Sequence, residues 1–347
     1  MSVRGLAGTA LRTACAAAVV AGAWEVQRRR DLRAVEADPE WHELNRRIPG
    51  REQTVRAGDG TRLHAEVYGP DDAPTIVLVH GWTCDLTFWH YQVRDLSRYF
   101  RIVAYDQRGH GRSDVPQSDD CYTADTLASD LQSVLDACVP DRRPVLIAGH
   151  SMGGMTVVAW AGRHHDVVRE RLAGAVLVNT GMNELQARLL ILGPLAGARV
   201  HRALLPPLIN TSRSYSSRFE PISYRLIRRL NVSSHASPGV GAFVHRMELS
   251  CPAPVRAGFG RLFTDLDLSG SVPSLAVPAV VIAGEEDRLL PPWHSRQLAA
   301  GLPSLVELAE LPGVAHMAPL EAPGEVTSRI RQLAAETLAA PVAVPAG

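Results

Sequence analysis

One short stretch constrains the fold more than any other. The apolar run Leu146-Ile147-Ala148 leads into Gly149-His150-Ser151-Met152-Gly153 and then into a helix-forming sequence. This order predicts a buried strand, a sharp turn with the serine at its tip, and a helix, which is the pattern of a nucleophile elbow. The serine Oγ then projects into open space while the first backbone N–H groups of the helix point at the same place. Ser151 is therefore a candidate nucleophile.

A second buried strand is predicted for Thr75–Val79, and His80-Gly81-Trp82 follows it. A serine that attacks a carbonyl carbon creates an oxyanion, which needs hydrogen-bond donors. We predict that the backbone N–H groups of Trp82 and Met152 supply them. His80 is predicted to brace the loop and to take no part in the chemistry.

The residues after this strand include several aromatic side chains. We predict that Trp82, Thr83, Phe88 and Trp89 line a substrate pocket together with the inserted segment described below. Cys84 lies in the same stretch, where packing is its expected role.

A third predicted strand, Arg101–Tyr105, is followed by Asp106-Gln107-Arg108-Gly109-His110-Gly111-Arg112-Ser113. The His-Gly loop, this Asp-x-Arg-Gly-x-Gly-x-Ser loop and Gly-His-Ser-Met-Gly-Gly occur in an order that resembles the α/β-hydrolase superfamily. The resemblance covers about residues 52 to 335. It implies an α/β fold with a mostly parallel central sheet, flanking helices and a helical lid insertion.

The resemblance also implies an acid downstream of the serine. A predicted strand, Ala279–Gly284, ends at Glu285-Glu286-Asp287. Asp287 occupies the position that the family's Gly-x-x-Asp pattern gives to the acid, and Glu285 and Glu286 remain the alternatives.

The histidine is expected last in the chain order. Leu305–Leu311 predicts the final strand, and His316 lies in the loop after it, alone among the 13 histidines in that placement. An imidazole takes the proton of a serine hydroxyl, and a carboxylate fixes the imidazole tautomer. We therefore predict a catalytic triad of Ser151, Asp287 and His316. A serine nucleophile, in place of aspartate, argues against dehalogenase and epoxide hydrolase chemistry.

Domain boundaries follow from these elements. The core is predicted to comprise residues 51–180 and 272–337, interrupted by a helical lid at 181–271. Apolar clusters at Leu189–Leu192 and Leu204–Ile209 suit such a lid. From Gly181 to Ser250 nine arginines stand against three acidic residues. This balance suggests either a lid surface that approaches lipid headgroups or an anionic substrate, or a solvated arginine-rich face.

The N-terminal residues 1–50 are predicted to form a separate apolar and basic segment with a linker, and residues 338–347 a tail. Leu6–Trp24 is apolar but is interrupted by Arg12, so a signal peptide, a short membrane anchor and a peripheral helix remain open. The arginines at 28–30 and 33 favour a cytoplasmic location for the following domain, with membrane association as an addition and export as the alternative.

Composition limits the partners and cofactors. A formal net charge of zero gives no indication of nucleic-acid binding. No cysteine or histidine spacing indicates a metal, and we expect no cofactor. Five scattered cysteines fit a reducing compartment.

We therefore predict a serine hydrolase that acts on a small-molecule carboxylic ester, which includes lipid esters, through an acyl-enzyme on Ser151. Its elbow resembles those of monoacylglycerol lipases and small bacterial esterases, which favours short- to medium-chain acyl groups. Lactone, thioester or C–C bond hydrolysis, acyl transfer and cofactor-free perhydrolysis share this triad and remain alternatives. A ligand-binding protein on the same fold is the non-enzymatic alternative, and the sequence leaves the oligomeric state open.

Overall fold

The computed structural model describes residues 22–139, 143–185 and 220–338. These residues form one eight-stranded sheet with the order β1-β2-β4-β3-β5-β6-β7-β8. Strand β2 runs antiparallel to both neighbours, and all other neighbouring strands are parallel. In chain order the strands are β1 (Arg51–Arg56), β2 (Arg62–Tyr68), β3 (Thr75–Val79), β4 (Arg101–Tyr105), β5 (Val145–His150), β6 (Leu172–Val178), β7 (Ala279–Gly284) and β8 (Leu305–Leu311).

Helices cover both faces of this sheet. In chain order those of the described residues are α1 (22–36), α2 (Pro39–Leu44), α3 (His90–Leu96), α4 (Ala124–Cys138), α5 (Met152–Arg163), α6 (His165–Arg171), α7 (Pro221–Asn231), α8 (Pro238–Ser250), α9 (Ala253–Asp265), α10 (Pro292–Gly301), α11 (Ala318–Glu321) and α12 (Pro323–Leu338).

The core is split by the sheet into two layers. In β3, Val77 and Val79 pack with α4 and α5, whereas Ile76 and Leu78 pack with α3 and α12. Every residue of β3, β4 and β5 is buried. Because both faces are covered, these parallel strands are continuously apolar and do not alternate, which is how they were recognised in the sequence. The predicted α/β fold with a mostly parallel sheet is confirmed.

The region between β6 and β7 contains three described helices, α7, α8 and α9. Its two ends meet, because the N–H of Leu268 donates to the carbonyl oxygen of Met182 at 2.8 Å. A chain that leaves and re-enters the core at one place forms an insertion that does not disturb the sheet. Residues 186–219, which include both apolar clusters predicted for a lid, lie outside the described residues.

The segment before β1 is helical and packs against this insertion. Asp38 caps α2 and also accepts a hydrogen bond from the N–H of Gly239, at 2.7 Å, at the start of α8. Val35 on α1 shares a small apolar cluster with Tyr224 on α7 and Ala242 on α8. Residues 22–44 therefore form peripheral helices. Within the described residues, no helix is both long enough and apolar enough to cross a bilayer.

Candidate active site

Strand β5 and helix α5 place Ser151 on a strained turn. Its φ of 51° lies in the left-handed region, where few residues other than glycine are found. The turn is tight enough to require glycine at Gly153, because a Cβ there would lie 2.1 Å from the carbonyl oxygen of Val79. A strained conformation of this kind persists only where the surrounding structure holds it. The predicted strand–turn–helix arrangement is therefore present.

The three side chains predicted as a triad lie in one hydrogen-bonded row. His316 Nε2 is 3.1 Å from Ser151 Oγ, and His316 Nδ1 is 2.7 Å from Asp287 Oδ2. A carboxylate can only accept, so Nδ1 carries the proton and Nε2 is left to accept from the serine hydroxyl. All three side chains are buried.

The carboxylate of Asp287 is fixed from several directions. Oδ1 accepts the backbone N–H groups of Leu289 and Leu290 at 2.9 and 2.8 Å. Oδ2 accepts the side-chain amide of Asn179 at 2.9 Å in addition to His316. The row therefore selects Asp287 over the neighbouring glutamates. Asn179, at the end of β6, is a contributor that the sequence gave no reason to single out.

The loop that carries His316 is held on both sides of its peptide group. The N–H of His316 donates to the carbonyl oxygen of Asn231 at 3.0 Å, and its own carbonyl oxygen accepts from His150 Nε2 at 2.8 Å. Asn231 ends α7 and His150 ends β5. The insertion and the elbow therefore both contact the loop that bears the base.

Glu321 on α11 also stabilises the loop that carries His316. Its carboxylate accepts the N–H groups of Ala315 and Met317, at 3.2 and 3.0 Å, and of Ser233 at 2.8 Å. Burial raises the pKa of Glu321, and these donors act in the opposite direction. This residue was also missed in the sequence, because its partners are backbone groups that leave no motif.

The loop after β3 lies against Ser151. A Cβ built on Gly81 would lie 2.7 Å from His150 Nδ1 and 3.2 Å from Ser151 Cβ, so glycine allows this close approach. Met152 is the first residue of α5, and among the described residues its N–H has no acceptor in the structure; the same holds for the N–H of Trp82. The two predicted oxyanion donors are therefore near the nucleophile and available.

Two buried histidines join the loop after β3 to the loop after β4. His80 Nδ1 is 2.7 Å from the carbonyl oxygen of Gly81, and its Nε2 accepts the N–H of Gln107 at 3.0 Å. His110 Nε2 likewise accepts the N–H of Thr83 at 3.2 Å. Burial lowers the pKa of His80 to about 4 and that of His110 to about 3, so both are neutral near pH 7. His80 thus braces the loop, as predicted.

The Asp-x-Arg-Gly-x-Gly-x-Ser loop is structural. Asp106 accepts the N–H groups of Leu86 and Arg112 at 2.7 and 2.8 Å. Arg108 makes two 2.6 Å hydrogen bonds to Asp130 on α4, both side chains being buried. The motif therefore maintains the shape of the loops that surround the nucleophile.

The four residues predicted to line a substrate pocket do not all lie where substrate could reach them. Phe88 and Trp89 are fully buried, and the Phe88 ring lies 4.4 Å from that of His150, so the prediction that these two side chains contact substrate is wrong for this structure. They support the elbow from within the core. Thr83 is buried and donates its hydroxyl to the carbonyl oxygen of Trp82. The Trp82 ring packs edge-on against Phe263 of α9, between the loop and the insertion.

A second carboxyl group lies close to His316. Glu248 on α8 interacts electrostatically with His316 and with Arg256, and it is hydrogen-bonded to the side chain of Asn231. Burial raises its pKa to about 7, yet its side chain is not closed off from solvent. The carboxyl therefore lies near the base and is only partly shielded from solvent. Nothing in the sequence marks it, because it comes from the insertion.

Within the described residues no cluster of three His, Cys, Asp or Glu side chains is arranged to hold a metal ion. Cys84, Cys121, Cys138 and Cys251 are free thiols. The absence of a metal and of a cofactor stays a prediction.

A serine–histidine–aspartate row on a strand–turn–helix elbow, in a mostly parallel sheet, defines a class of hydrolases. The chain belongs to the α/β-hydrolase fold family, whose model matches residues 74–323.

Three individual proteins illustrate its similarities. "Probable oxidoreductase EphD" of Mycobacterium bovis is 28% identical over 304 residues, which are 83% of this chain and 50% of that protein; this chain therefore spans about half the length of that relative. "3-oxoadipate enol-lactonase 1" of Acinetobacter baylyi is 28% identical over 234 residues, 66% of this chain and 77% of that protein. The solved structure of a thermophilic esterase from Thermogutta terrifontis has a TM-score of 0.65 at 25% identity, covering 83% of this chain and 99% of that one.

Proposed function

We propose that this protein is a serine hydrolase that cleaves carboxylic esters through an acyl-enzyme on Ser151. The observation that carries the proposal is the continuous row Asp287–His316–Ser151, with the serine at the N-terminus of α5. The family relationship supports a hydrolase, and the similarity to an esterase and an enol-lactonase favours ester bonds.

The row performs each proton transfer that ester cleavage needs. His316 Nε2 takes the proton of Ser151 Oγ as Oγ bonds to the ester carbonyl carbon. Asp287 stabilises the imidazolium through Nδ1–H. The C–O bond to the alcohol then breaks, and Nε2 returns the proton to the departing alkoxide. Water repeats the sequence with the acyl-enzyme and releases the acid.

The oxyanion of each tetrahedral intermediate needs donors at a fixed position. We assign these to the backbone N–H groups of Trp82, in the loop after β3, and of Met152, at the start of α5 beside Ser151. Removal of a single donor of this kind costs about 10²–10³ in kcat in other enzymes. The histidine braces His80 and His110 maintain the geometry of the Trp82 loop.

The test uses p-nitrophenyl esters of graded acyl length and a fluorophosphonate label. Ser151→Ala is expected to lose both turnover and labelling, whereas Ser328→Ala, on the exposed surface of α12, keeps both. A short- to medium-chain optimum is expected. Labelling of the wild type without turnover of any linear ester would contradict the ester proposal, and absence of both would favour a ligand-binding protein.

Lactone hydrolysis is the second candidate, because an enol-lactonase is among the relatives and a lactone is a cyclic ester. The acyl-enzyme then retains the alcohol on the same molecule, so ring closure competes with hydrolysis. A panel of lactones and linear esters of equal carbon number, compared by kcat/KM, separates the two substrates.

A further inference from the structure

In the part of the chain that the structure describes, most large apolar side chains are buried, and the exposed ones are unevenly distributed. In the described residues eight are exposed, and four of them lie on α1 and α7. These are Trp24, Val26, Ile222 and Leu226. Isolated exposed apolar residues need no explanation, but several on adjacent helices mark an interaction surface.

Helix α7 presents an unusual outer face. Ile222, Arg225, Leu226 and Arg229 are all exposed and follow the i, i+3, i+4, i+7 spacing of one helix face. Ile222 is 74% exposed and Leu226 56%. The opposite side, which includes Tyr224, is buried against α1 and α8. At a membrane interface, exposed aliphatic side chains enter the headgroup region and neighbouring arginines are attracted to anionic headgroups.

Helix α1 continues this face. An ion pair of 3.0 Å joins Asp31 on α1 to Arg225 on α7, and Val35 packs with Tyr224, so the two helices lie side by side. Together they carry seven arginines against three acidic residues, and two of those acids are already paired with arginine. The combined surface is therefore basic as well as apolar.

We propose that the surface formed by α1 and α7 docks on an anionic lipid bilayer. Arginines near such a surface are attracted to its anionic headgroups, and the aliphatic and indole side chains add apolar burial. The sequence that precedes α1 supports a lipid occupant, because residues 1–21 are mostly apolar and contain arginine but no acidic residue.

The docked surface connects directly to the active site. The last residue of α7, Asn231, accepts the N–H of His316, and Ser233 just beyond it donates to Glu321. If the proposed ester hydrolysis holds, a lipid-borne ester would reach Ser151 from the bilayer to which α7 is bound. The binding itself rests only on the surface.

The test is cosedimentation of the full chain with vesicles. The wild type is expected to bind vesicles of phosphatidylcholine with phosphatidylglycerol and to bind pure phosphatidylcholine much more weakly. Two double variants should each weaken binding to the anionic vesicles about tenfold or more. Ile222→Ser with Leu226→Ser does so by loss of apolar burial. Arg30→Gln with Arg229→Gln does so by loss of two positive charges. High salt should weaken the wild type's binding.

Matched controls separate this surface from apolar exposure in general. Leu305→Ser with Val306→Ser removes two exposed apolar residues on β8 and should leave vesicle binding unchanged. Ser151→Ala should lose turnover and keep binding, so failure of the proposed function is distinguishable from failure of the docking proposal. The proposal is overturned if the wild type does not bind anionic vesicles, or if both surface variants bind them as tightly as the wild type. Absence of vesicle binding with a dimer that Ile222→Ser and Leu226→Ser dissociate would assign the face to a second copy of the chain instead.

Discussion

At the scale of single residues, the orientation of one imidazole decides whether Ser151 can react. Asp287→Asn replaces an acceptor at His316 Nδ1 with an amide that can donate, which favours the wrong tautomer. We expect kcat/KM to fall about 10⁴-fold, since the same change in another triad has that effect. Glu286→Gln, one position away, should stay within about twofold because that carboxylate lies outside the row. Steady-state kinetics on one ester measures both variants, and equal losses would show that Asp287 is not the acid.

The charge of Glu248, which interacts with His316, depends on pH. Its raised pKa of about 7 means that the carboxyl is largely neutral at pH 6 and largely charged at pH 8. Glu248→Gln should therefore reduce the preference for a cationic over a neutral ester severalfold at pH 8 and change it little at pH 6. The measured quantity is the ratio of kcat/KM for two esters of the same acyl group. A ratio that shifts equally at both pH values would mean that Glu248 does not face the substrate.

The sequence predicted the site residues that lie at a turn or just after the end of a strand. Ser151, Asp287 and His316 were found because each follows an apolar strand at the same edge of the sheet. Asn179 and Glu321 were not, because they act by hydrogen bonds to a carboxylate or to backbone N–H groups, and such partners are set by tertiary contacts. The prediction for Phe88 and Trp89 was wrong because aromatic residues in this position are equally typical of a pocket wall and of a buried core.

At the scale of elements, the loop after β4 is joined to α4 by a buried ion pair. Asp130→Asn removes the bidentate partner of the buried Arg108, which keeps only its 2.9 Å ion pair with Asp59, and we expect a loss of about 3 kcal/mol in the free energy of unfolding. Asp125→Asn on the same helix removes only an exposed pair with Arg163 and should cost under about 1 kcal/mol. Urea unfolding of the two variants provides the comparison, and similar midpoints would contradict the role of the buried pair.

The helices and strands that a local sequence pattern specifies were predictable from the sequence, and those that depend on distant contacts were not. Strands β3 and β4 coincide with the predicted ranges, because a continuous apolar run between turn residues specifies a buried strand. The packing of α1 and α2 on the insertion was not predictable. It depends on contacts such as that of Asp38 with Gly239, which no local pattern records.

At the scale of the whole molecule, buried neutral histidines make stability depend on pH. The lowered pKa of His110, about 3, means that between pH 6.5 and 3 the unfolded chain binds a proton that the folded one does not. Stability is therefore full above that window and is lost as the pH falls through it, by about 1.4 kcal/mol per pH unit for each such histidine.

His110→Gln keeps a donor and an acceptor but cannot bind this proton. We expect its stability to decline less steeply than that of the wild type from pH 6.5 to 4, and His80→Gln should behave in the same way. Asp106 and Glu248, with pKa values raised to about 7, act in the opposite direction in both proteins, so the difference between the two slopes is the quantity to measure. Urea unfolding at four pH values gives it, and parallel slopes would show that the histidines are not neutral when folded.

The hydrogen bond between Asp38 and Gly239 spans 201 residues, and this has a consequence for how the chain is made. At a ribosome rate of about 5–20 residues per second, the N-terminal helices wait about 10–40 seconds for their partners on α8 to be synthesised. During that time Val35 lacks its partners Tyr224 and Ala242. Helices that are synthesised early are thus among the last to reach their folded positions, and they need protection from aggregation in the interval.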